Sequence, residues 1–276
     1  MRRIAMTGAA GRVGTLLRPF LRQHVEHVRL IDIHEPVDLA ENESFVRADL
    51  SKLEEATAAL RGIDGVVHLA GIASGVDMSA ILQANVLGTY NLYEAARINK
   101  VERMIYASSN HATGFYPRGE VISPLDSMRP DSPYGLSKCW GELVAGLYYD
   151  TAGIRSLSIR IGNAGTYPNS ERTIAIWISA RDLAQLVRIG LTHPQIAATV
   201  VYGVSDTDTK WWDNNLATRL GYQPQDRPRD HARIEDGAEG RVARAFQGGG
   251  FCEFNHDGNI RMRDADGLVK DPEMVS

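Results

Sequence analysis

The sequence has little cysteine, little net charge and no long apolar run. Cys139 and Cys252 are the only cysteines among 276 residues, too few for a disulfide framework or a four-cysteine zinc site. The 34 acidic and 30 basic side chains give a net charge of −4, which argues against nucleic-acid or acidic membrane partners. No apolar run approaches the ~18 residues of a membrane span, and a glycine motif follows the N-terminus too soon for a signal peptide. We therefore expect a soluble, cytoplasmic protein without a metal site.

The chain alternates short apolar runs with helical patterns. Strands are predicted at 4–7, 28–33, 44–48, 65–70, 104–108, 156–161 and 198–202, and helices at 12–24, 52–61, 78–99, 134–151 and 181–192. Strands separated by helices indicate βαβ units, and right-handed crossovers then favour an α/β fold with a doubly wound, Rossmann-type parallel sheet. We expect residues 1–162 to form a dinucleotide-binding domain. Residues 163–276 are predicted to add a small substrate-binding portion, interleaved with the sheet, and a C-terminal tail.

A glycine-rich turn lies between the first predicted strand and helix. The segment Gly8-Ala9-Ala10-Gly11-Arg12-Val13-Gly14 has the spacing G-x-x-G-x-x-G, which lets backbone N–H groups and a helix N-terminus approach a pyrophosphate. Asp32 ends the second strand, where a carboxylate would accept hydrogen bonds from ribose hydroxyls and repel a 2′-phosphate. The pattern therefore predicts NAD rather than NADP. Asp49, at the end of the third strand, is a candidate for the adenine edge, and a solvated strand end is the alternative.

Tyr134 and Lys138 stand four residues apart at the start of a predicted helix, so they share one helix face. An ammonium group beside a phenol is expected to lower the pKa of the phenol from about 10, as a general base for a hydroxyl requires. A Y-x-x-x-K pattern alone is common on helix surfaces. Here it follows the glycine turn and a strand that ends in Ala107-Ser108-Ser109-Asn110-His111.

Together these motifs resemble the extended short-chain dehydrogenase/reductase family from Arg2 to about Tyr202. The resemblance implies a catalytic set of Ser109, Tyr134 and Lys138. It also implies that Asn85 orders a water beside the lysine, with a helix-capping or core amide as the alternative. The NAD contacts that follow from the resemblance and from the glycine turn are Gly8, Gly11, Arg12, Val13, Gly14, Asp32, Asp49, Leu50, Leu69, Ala70, Gly71, Asn85 and Lys138.

Further segments are similar to the uronate dehydrogenases of that family. They include Ser108-Ser109-Asn110-His111, Arg160-Ile161-Gly162, Trp211-Trp212-Asp213-Asn214 and Phe246-Gln247-Gly248-Gly249. Such enzymes oxidise C1 of D-glucuronate and D-galacturonate with NAD to the aldarolactone, and extended relatives are commonly multimeric, so a homo-oligomer is expected. The substrate contacts that this similarity implies are Ser74, Ser109, Asn110, His111, Asn163 and Arg172. A guanidinium matches a carboxylate at two points, which suits Arg172 as the carboxylate clamp.

Several alternatives remain open. Arg172 could instead pair with neighbouring Glu171, and His111 could only brace its loop. Asn163 and Ala73 replace serines that are usual in the uronate dehydrogenases, and Arg-Ile-Gly-Asn also resembles NAD-dependent glucose-6-phosphate dehydrogenases. A phosphate dianion usually requires several cations, and the segment 164–178 offers only Arg172, which favours a carboxylate substrate. The complete Ser, Tyr and Lys set disfavours a non-catalytic NAD-sensing protein, and the short second half disfavours a nucleotide-sugar epimerase or dehydratase.

Overall fold

The computed structural model describes residues 2–73, 77–235, 237–254, 256–264 and 266–269. The strands within these ranges are β1 (Arg3–Thr7), β2 (His27–Asp32), β3 (Glu43–Arg47), β4 (Gly65–His68), β5 (Arg103–Ser109), β6 (Arg155–Ile161), β7 (Asn163–Ala164), β8 (Trp177–Ile178) and β9 (Ala198–Gly203). Seven of them form one sheet in the order β3-β2-β1-β4-β5-β6-β9, and every neighbouring pair is parallel. β7 and β8 form a separate parallel pair. The predicted Rossmann-type sheet is therefore confirmed.

Helices cover both faces of the sheet. They are α1 (Arg12–Leu21), α2 (Leu53–Ala59), α3 (Met78–Ile81), α4 (Gly88–Ile98), α5 (Pro133–Ala152), α6 (Glu171–Ile176), α7 (Ala180–Thr192), α8 (Asn215–Arg219), α9 (Pro228–His231) and α10 (Arg241–Ala245). Within the described ranges, no helix combines the length and apolar character that crossing a membrane requires. The elements predicted from the sequence lie within three residues of the observed bounds, apart from the helix over 78–99.

The alternation of side chains along the strands divides the core into two layers. In β1, Ile4 and Met6 pack with α1 and α7 on one face, whereas Ala5 packs with α2, α4 and α5 on the other. Successive side chains of a strand point to opposite faces, so a strand buried on both sides reads as a continuous apolar run. For this reason the central strands can be predicted from the sequence.

The prediction of one continuous helix over 78–99 is wrong in its middle. A π-helical segment, Leu82–Leu87, separates α3 from α4. The segment contains the buried Asn85, whose amide group donates to the Ile72 carbonyl at 3.0 Å and to Ser137 Oγ at 2.9 Å, while its oxygen accepts from the Ile72 N–H at 2.7 Å. A π turn inside a helix is frequent at functional sites. Here it accompanies a side chain that ties the loop after β4 to α5.

The short elements between residues 163 and 178 were not predicted. β7 and β8 have two residues each, and α6 has six. α6 begins with a capping box, in which Ser170 Oγ accepts from the Thr173 N–H and Thr173 Oγ1 accepts from the Ser170 N–H. Elements this short carry too few apolar residues to show a period, and α6 is the element that supplies Arg172 to the site.

Candidate active site

The predicted site residues gather where the strand order reverses. β1 and β4 are neighbours, but the chain reaches β4 only after building β2 and β3 on the other side of β1. In doubly wound sheets, ligands bind at the carboxyl ends of the strands beside such a reversal. Two cavities open along this edge, and Leu69 and Gly71, which follow β4, line both.

The first cavity, which we term the cofactor crevice, has a volume of 450 Å³. Its lining includes most of the predicted NAD contacts, namely Gly8, Gly11, Asp32, Asp49, Leu50, Leu69, Ala70 and Gly71. Gly8 has φ of +68°, and a Cβ there would lie 2.5 Å from the Ala70 nitrogen. A side chain at this position would therefore both strain the backbone and close the crevice.

Two carboxylates line the crevice at the ends of β2 and β3. Asp32 accepts hydrogen bonds from the backbone N–H groups of Ala10, at 3.0 Å, and His34, at 3.1 Å, which hold it against the glycine turn. Asp49 Oδ1 accepts from the N–H of Ser51 at 3.0 Å and from its hydroxyl at 2.8 Å. These two bonds to Ser51 lower the pKa of Asp49, so it is a carboxylate at neutral pH.

Five of the predicted NAD contacts lie outside the crevice lining. Arg12, Val13 and Lys138 line the second cavity instead, next to the crevice. Gly14 packs beneath the turn, because a Cβ there would lie 2.5 Å from the Gly8 carbonyl oxygen. Asn85 also lines neither cavity, and its side chain is engaged with Ile72 and Ser137. Its arrangement fits the alternative of a buried structural amide.

The second cavity, which we term the substrate pocket, has a volume of 290 Å³. The predicted residues that line it are Ser109, Asn110, His111, Tyr134, Lys138, Asn163 and Arg172. These come from β5, the turn after it, α5, β7 and α6, so only the fold brings them together. Ser74, also predicted to contact substrate, lies outside the described residues.

Tyr134 and Lys138 face the pocket from the first turns of α5. Ser132 caps this helix by accepting from the Gly135 N–H at 3.0 Å, and Pro133 occupies its first position. Lys138 Nζ lies 5.6 Å from the centre of the Tyr134 ring and 5.1 Å from that of Tyr106, so the ammonium group is held between two aromatic rings.

The titration of this pair differs from the sequence expectation. Desolvation raises the pKa of Tyr134 to about 12, although the Ser109 hydroxyl acts in the opposite direction. Desolvation also lowers the pKa of Lys138 to about 8. The predicted lowering of the Tyr134 pKa is therefore wrong for the protein alone. The free energy needed to remove a phenolate from water exceeds the stabilisation that the nearby groups give it.

Ser109 is oriented by the turn that follows β5. Its Oγ accepts a hydrogen bond from the His111 N–H at 3.2 Å, at the start of a 3₁₀ helix over Asn110–Thr113. Since the oxygen serves as the acceptor, the hydroxyl proton is available for donation. The neighbouring Asn110 Nδ2 is buried and has no hydrogen-bond partner among the described residues. A buried donor without a partner is uncommon and calls for an explanation.

Arg172 also has a buried side-chain nitrogen without a hydrogen-bond partner among the described residues. Its Nε donates to the Gln247 carbonyl at 3.0 Å, whereas its buried Nη2 has no partner in the part of the chain that the structure describes. Glu171 pairs instead with Arg229 at 3.3 Å, so the alternative of an Arg172–Glu171 pair is wrong. Gly249, with φ of +64°, leaves room for the guanidinium, because a Cβ there would lie 2.3 Å from Arg172 Nε.

Sequence reasoning missed two residues that contact the His111 side chain. Phe251 lines it and stacks on His111, with ring centres 3.9 Å apart and planes at 27°. Asp131 lies behind His111, and its Oδ2 is 2.6 Å from His111 Nδ1. Phe251 follows α10, far along the chain from the other residues that line the pocket, and Asp131 lies in a proline-rich loop. Neither position carries a periodic signal.

A Rossmann-type sheet with a glycine turn and a Ser, Tyr and Lys set at one edge is the architecture of a nicotinamide-dependent dehydrogenase. The chain belongs to the NAD dependent epimerase/dehydratase family, whose model matches residues 4–197. It is 43% identical over 225 residues to the uronate dehydrogenase of Pseudomonas putida, covering 81% of this chain and 84% of that protein. It is 40% identical over 254 residues to the uronate dehydrogenase of Pseudomonas syringae pv. tomato, covering 90% and 92%.

A solved structure has the same fold over nearly the whole chain. It is a mutant of the uronate dehydrogenase from Agrobacterium tumefaciens, complexed with NAD. The two chains are 36% identical, with a TM-score of 0.85, and the match covers 92% of this chain and 97% of that one.

Proposed function

We propose that the protein oxidises the C1 hydroxyl of a hexuronate, D-glucuronate or D-galacturonate, to the aldarolactone with NAD. The observation that carries this proposal is Arg172, which lines the same pocket as Tyr134 and Lys138 and whose buried Nη2 has no hydrogen-bond partner among the described residues. A carboxylate satisfies a guanidinium better than a neutral hydroxyl does, because the hydrogen bonds are charge-assisted. The uronate dehydrogenases at 40% and 43% identity support the same substrate class.

The cofactor crevice fits NAD. The glycine turn leaves backbone N–H groups beside the N-terminus of α1, where a pyrophosphate would bind. Asp32 would accept hydrogen bonds from the adenosine ribose and Asp49 would meet the adenine edge, while Lys138 would hold the second ribose. When bound, NAD supplies the acceptor for the hydride from C1.

The protein residues supply proton transfer and orientation. Tyr134 takes the proton of the C1 hydroxyl, and the hydroxyl of Ser109 donates to the same reacting oxygen. The Lys138 ammonium group contributes positive charge that favours the phenolate when Tyr134 ionises. Asn110, His111, Asn163 and Ser74 are assigned to the sugar hydroxyls, and Arg172 to the C6 carboxylate.

We also propose that the enzyme is a homo-oligomer and that it lies in the cytoplasm, where an NAD pool is available. An apolar stripe runs along the outer face of α5, formed by Leu136, Trp140, Leu143 and Leu147, which are 54%, 41%, 64% and 52% exposed. Their spacing puts them on one side of the helix. Contiguous exposed apolar surface usually marks an interface, and a second copy of the same stripe would bury it symmetrically.

An absorbance assay for NADH tests the function. The purified protein is incubated with NAD⁺ or NADP⁺ and with glucuronate, galacturonate, glucose 6-phosphate or neutral aldoses. We expect turnover with the uronates and NAD⁺, and Arg172→Gln should raise the KM for uronate by about 10- to 100-fold. Arg229→Gln, which changes an arginine next to α6 but outside the pocket, is the matched control. Turnover confined to glucose 6-phosphate or neutral aldoses would contradict the proposal.

A further inference from the structure

The carboxylate behind His111 is wholly enclosed. The side chain of Asp131 has 0% exposure, and its Oδ2 lies 2.6 Å from His111 Nδ1. Its other oxygen, Oδ1, accepts from the Ser132 hydroxyl at 2.8 Å. The backbone repeats the connection, because the Asp131 N–H donates to the His111 carbonyl at 3.2 Å. Two independent links therefore join the loop before α5 to the turn after β5.

Three glycines make room for this carboxylate. A Cβ on Gly114 would lie 1.8 Å from Asp131 Oδ2, and a Cβ on Gly248 would lie 2.1 Å from it. A Cβ on Gly135 would lie 2.3 Å from the His111 carbonyl oxygen and 3.1 Å from Asp131 Oδ1. Since backbone surrounds it on these sides, the carboxylate has no other position available. Two of these glycines, Gly114 and Gly248, belong to segments that are distant from Asp131 in the chain.

The imidazole is fixed on its remaining sides. Phe251 stacks on the His111 ring at 3.9 Å, and the Tyr134 ring meets it edge-on at 5.8 Å. His111 Nε2 forms no hydrogen bond with the described residues, and the side chain lines the substrate pocket. The imidazole thus has one nitrogen committed to Asp131 and the other available to a ligand.

We infer that Asp131 is a positioning residue that holds His111 in the Nδ1–H tautomer, so that Nε2 accepts a hydrogen bond from a substrate hydroxyl. A carboxylate can only accept, so the proton of the short His111–Asp131 bond belongs to Nδ1. The lone pair of Nε2 then requires a donor from the substrate. The part of the inference that concerns the substrate hydroxyl rests on the proposed function, whereas the part that concerns the tautomer of His111 does not.

An acceptor at His111 Nε2 predicts selectivity for one particular hydroxyl of the substrate. A sugar hydroxyl at Nε2 can donate, whereas a hydrogen or fluorine in its place cannot. Substrates altered at that one carbon would leave Nε2 without a hydrogen-bond donor, and sites built to bond a substrate hydroxyl discriminate strongly against analogues that lack it. Among glucuronates with fluorine at C2, C3 or C4, we expect one to lose most of its kcat/KM.

The tautomer is measured directly by ¹⁵N NMR on histidine-labelled protein without substrate. The His111 signals are assigned by their loss in His111→Gln. We expect a protonated Nδ1 and an unprotonated Nε2 in the native protein, and the reverse in Asp131→Asn, because the amide can donate to Nδ1. A native His111 protonated at Nε2, or at both nitrogens, would overturn the inference. This measurement needs no turnover, so it stands even if uronates prove not to be substrates.

Kinetics then test whether Asp131 acts through His111. Asp131→Asn should raise the KM for uronate by about 10- to 100-fold, as expected for one mismatched buried hydrogen bond, with the KM for NAD⁺ within about twofold. In the His111→Gln background, the same change should have less than about a twofold effect. An equal loss in both backgrounds would show that Asp131 only supports the fold, and would refute the positioning role.

Discussion

Arg160 and Glu142 form a two-point ion pair beneath the substrate pocket. Arg160 Nε lies 2.9 Å from Glu142 Oε1, Arg160 Nη2 lies 2.9 Å from Oε2, and both side chains are 2% exposed. Glu142 is one turn beyond Lys138 on α5, and it also accepts from the hydroxyl of Ser108, the residue before Ser109. The pair therefore joins β6 to the helix and strand that carry the proposed catalytic residues.

Breaking this pair on one side should destabilise the protein more than replacing both partners. Arg160→Met leaves a buried carboxylate without its cation, and we expect it to lower the free energy of unfolding by about 3–5 kcal/mol. The double variant Arg160→Met, Glu142→Leu should recover a large part of that loss. Urea denaturation of the two variants and the native protein measures both values. Equal losses in the two variants would contradict the ion-pair account.

The pH dependence of kcat/KM should have an unusual shape. The proposed mechanism needs Tyr134 deprotonated, with a pKa of about 12, and Lys138 protonated, with a pKa of about 8. Below about pH 8, the phenolate fraction rises tenfold per pH unit while Lys138 stays charged. Above it, loss of the ammonium cancels the gain in phenolate, so kcat/KM should level off. Initial rates from pH 6 to 10 give the profile, and a decline in kcat/KM from pH 6 to 8 would contradict it.

Tyr134→Phe should separate binding from catalysis. Removing the phenol oxygen eliminates the base, and we expect kcat to fall by about 10²- to 10⁴-fold. The affinity for NAD⁺, measured by calorimetry, should stay within about twofold, because the ring remains. Near-native NADH production by this variant would exclude Tyr134 as the base.

Lys138 should reduce the stability of the protein without ligands. Its pKa falls from 10.5 to about 8 on burial, a shift equivalent to about 3 kcal/mol against the folded state below pH 8. The folded protein loses this proton before the unfolded chain does, so the penalty fades as the pH rises from 8 towards 10.5. Lys138→Met should therefore raise the free energy of unfolding at pH 7 while abolishing turnover. The advantage over the native protein should shrink at pH 9.5, as chemical denaturation at both pH values would show.

The apolar stripe on α5 predicts a change in assembly. Leu143 is 64% exposed, and Leu143→Glu would place a charge in the proposed interface. We expect a smaller particle by light scattering after size exclusion, with little change in the unfolding of the protomer. Leu125→Glu is the matched control, because Leu125 is 93% exposed but lies outside the stripe. The same molar mass for both variants and the native protein would exclude this surface as the interface.

The features that could be predicted from the amino-acid sequence are those whose signals are local. Strand runs, the glycine turn with Asp32, and the Tyr134 and Lys138 pair each lie within one element or one turn, so spacing alone predicts their geometry. The family resemblance added Ser109 and Arg172 by their place in motifs. Three properties became apparent only in the folded chain: Glu171 pairs with Arg229 rather than with Arg172, Asp131 and Phe251 contact His111, and burial raises the pKa of Tyr134. Those properties depend on desolvation and on contacts between segments far apart in the chain, which no local pattern of residues encodes.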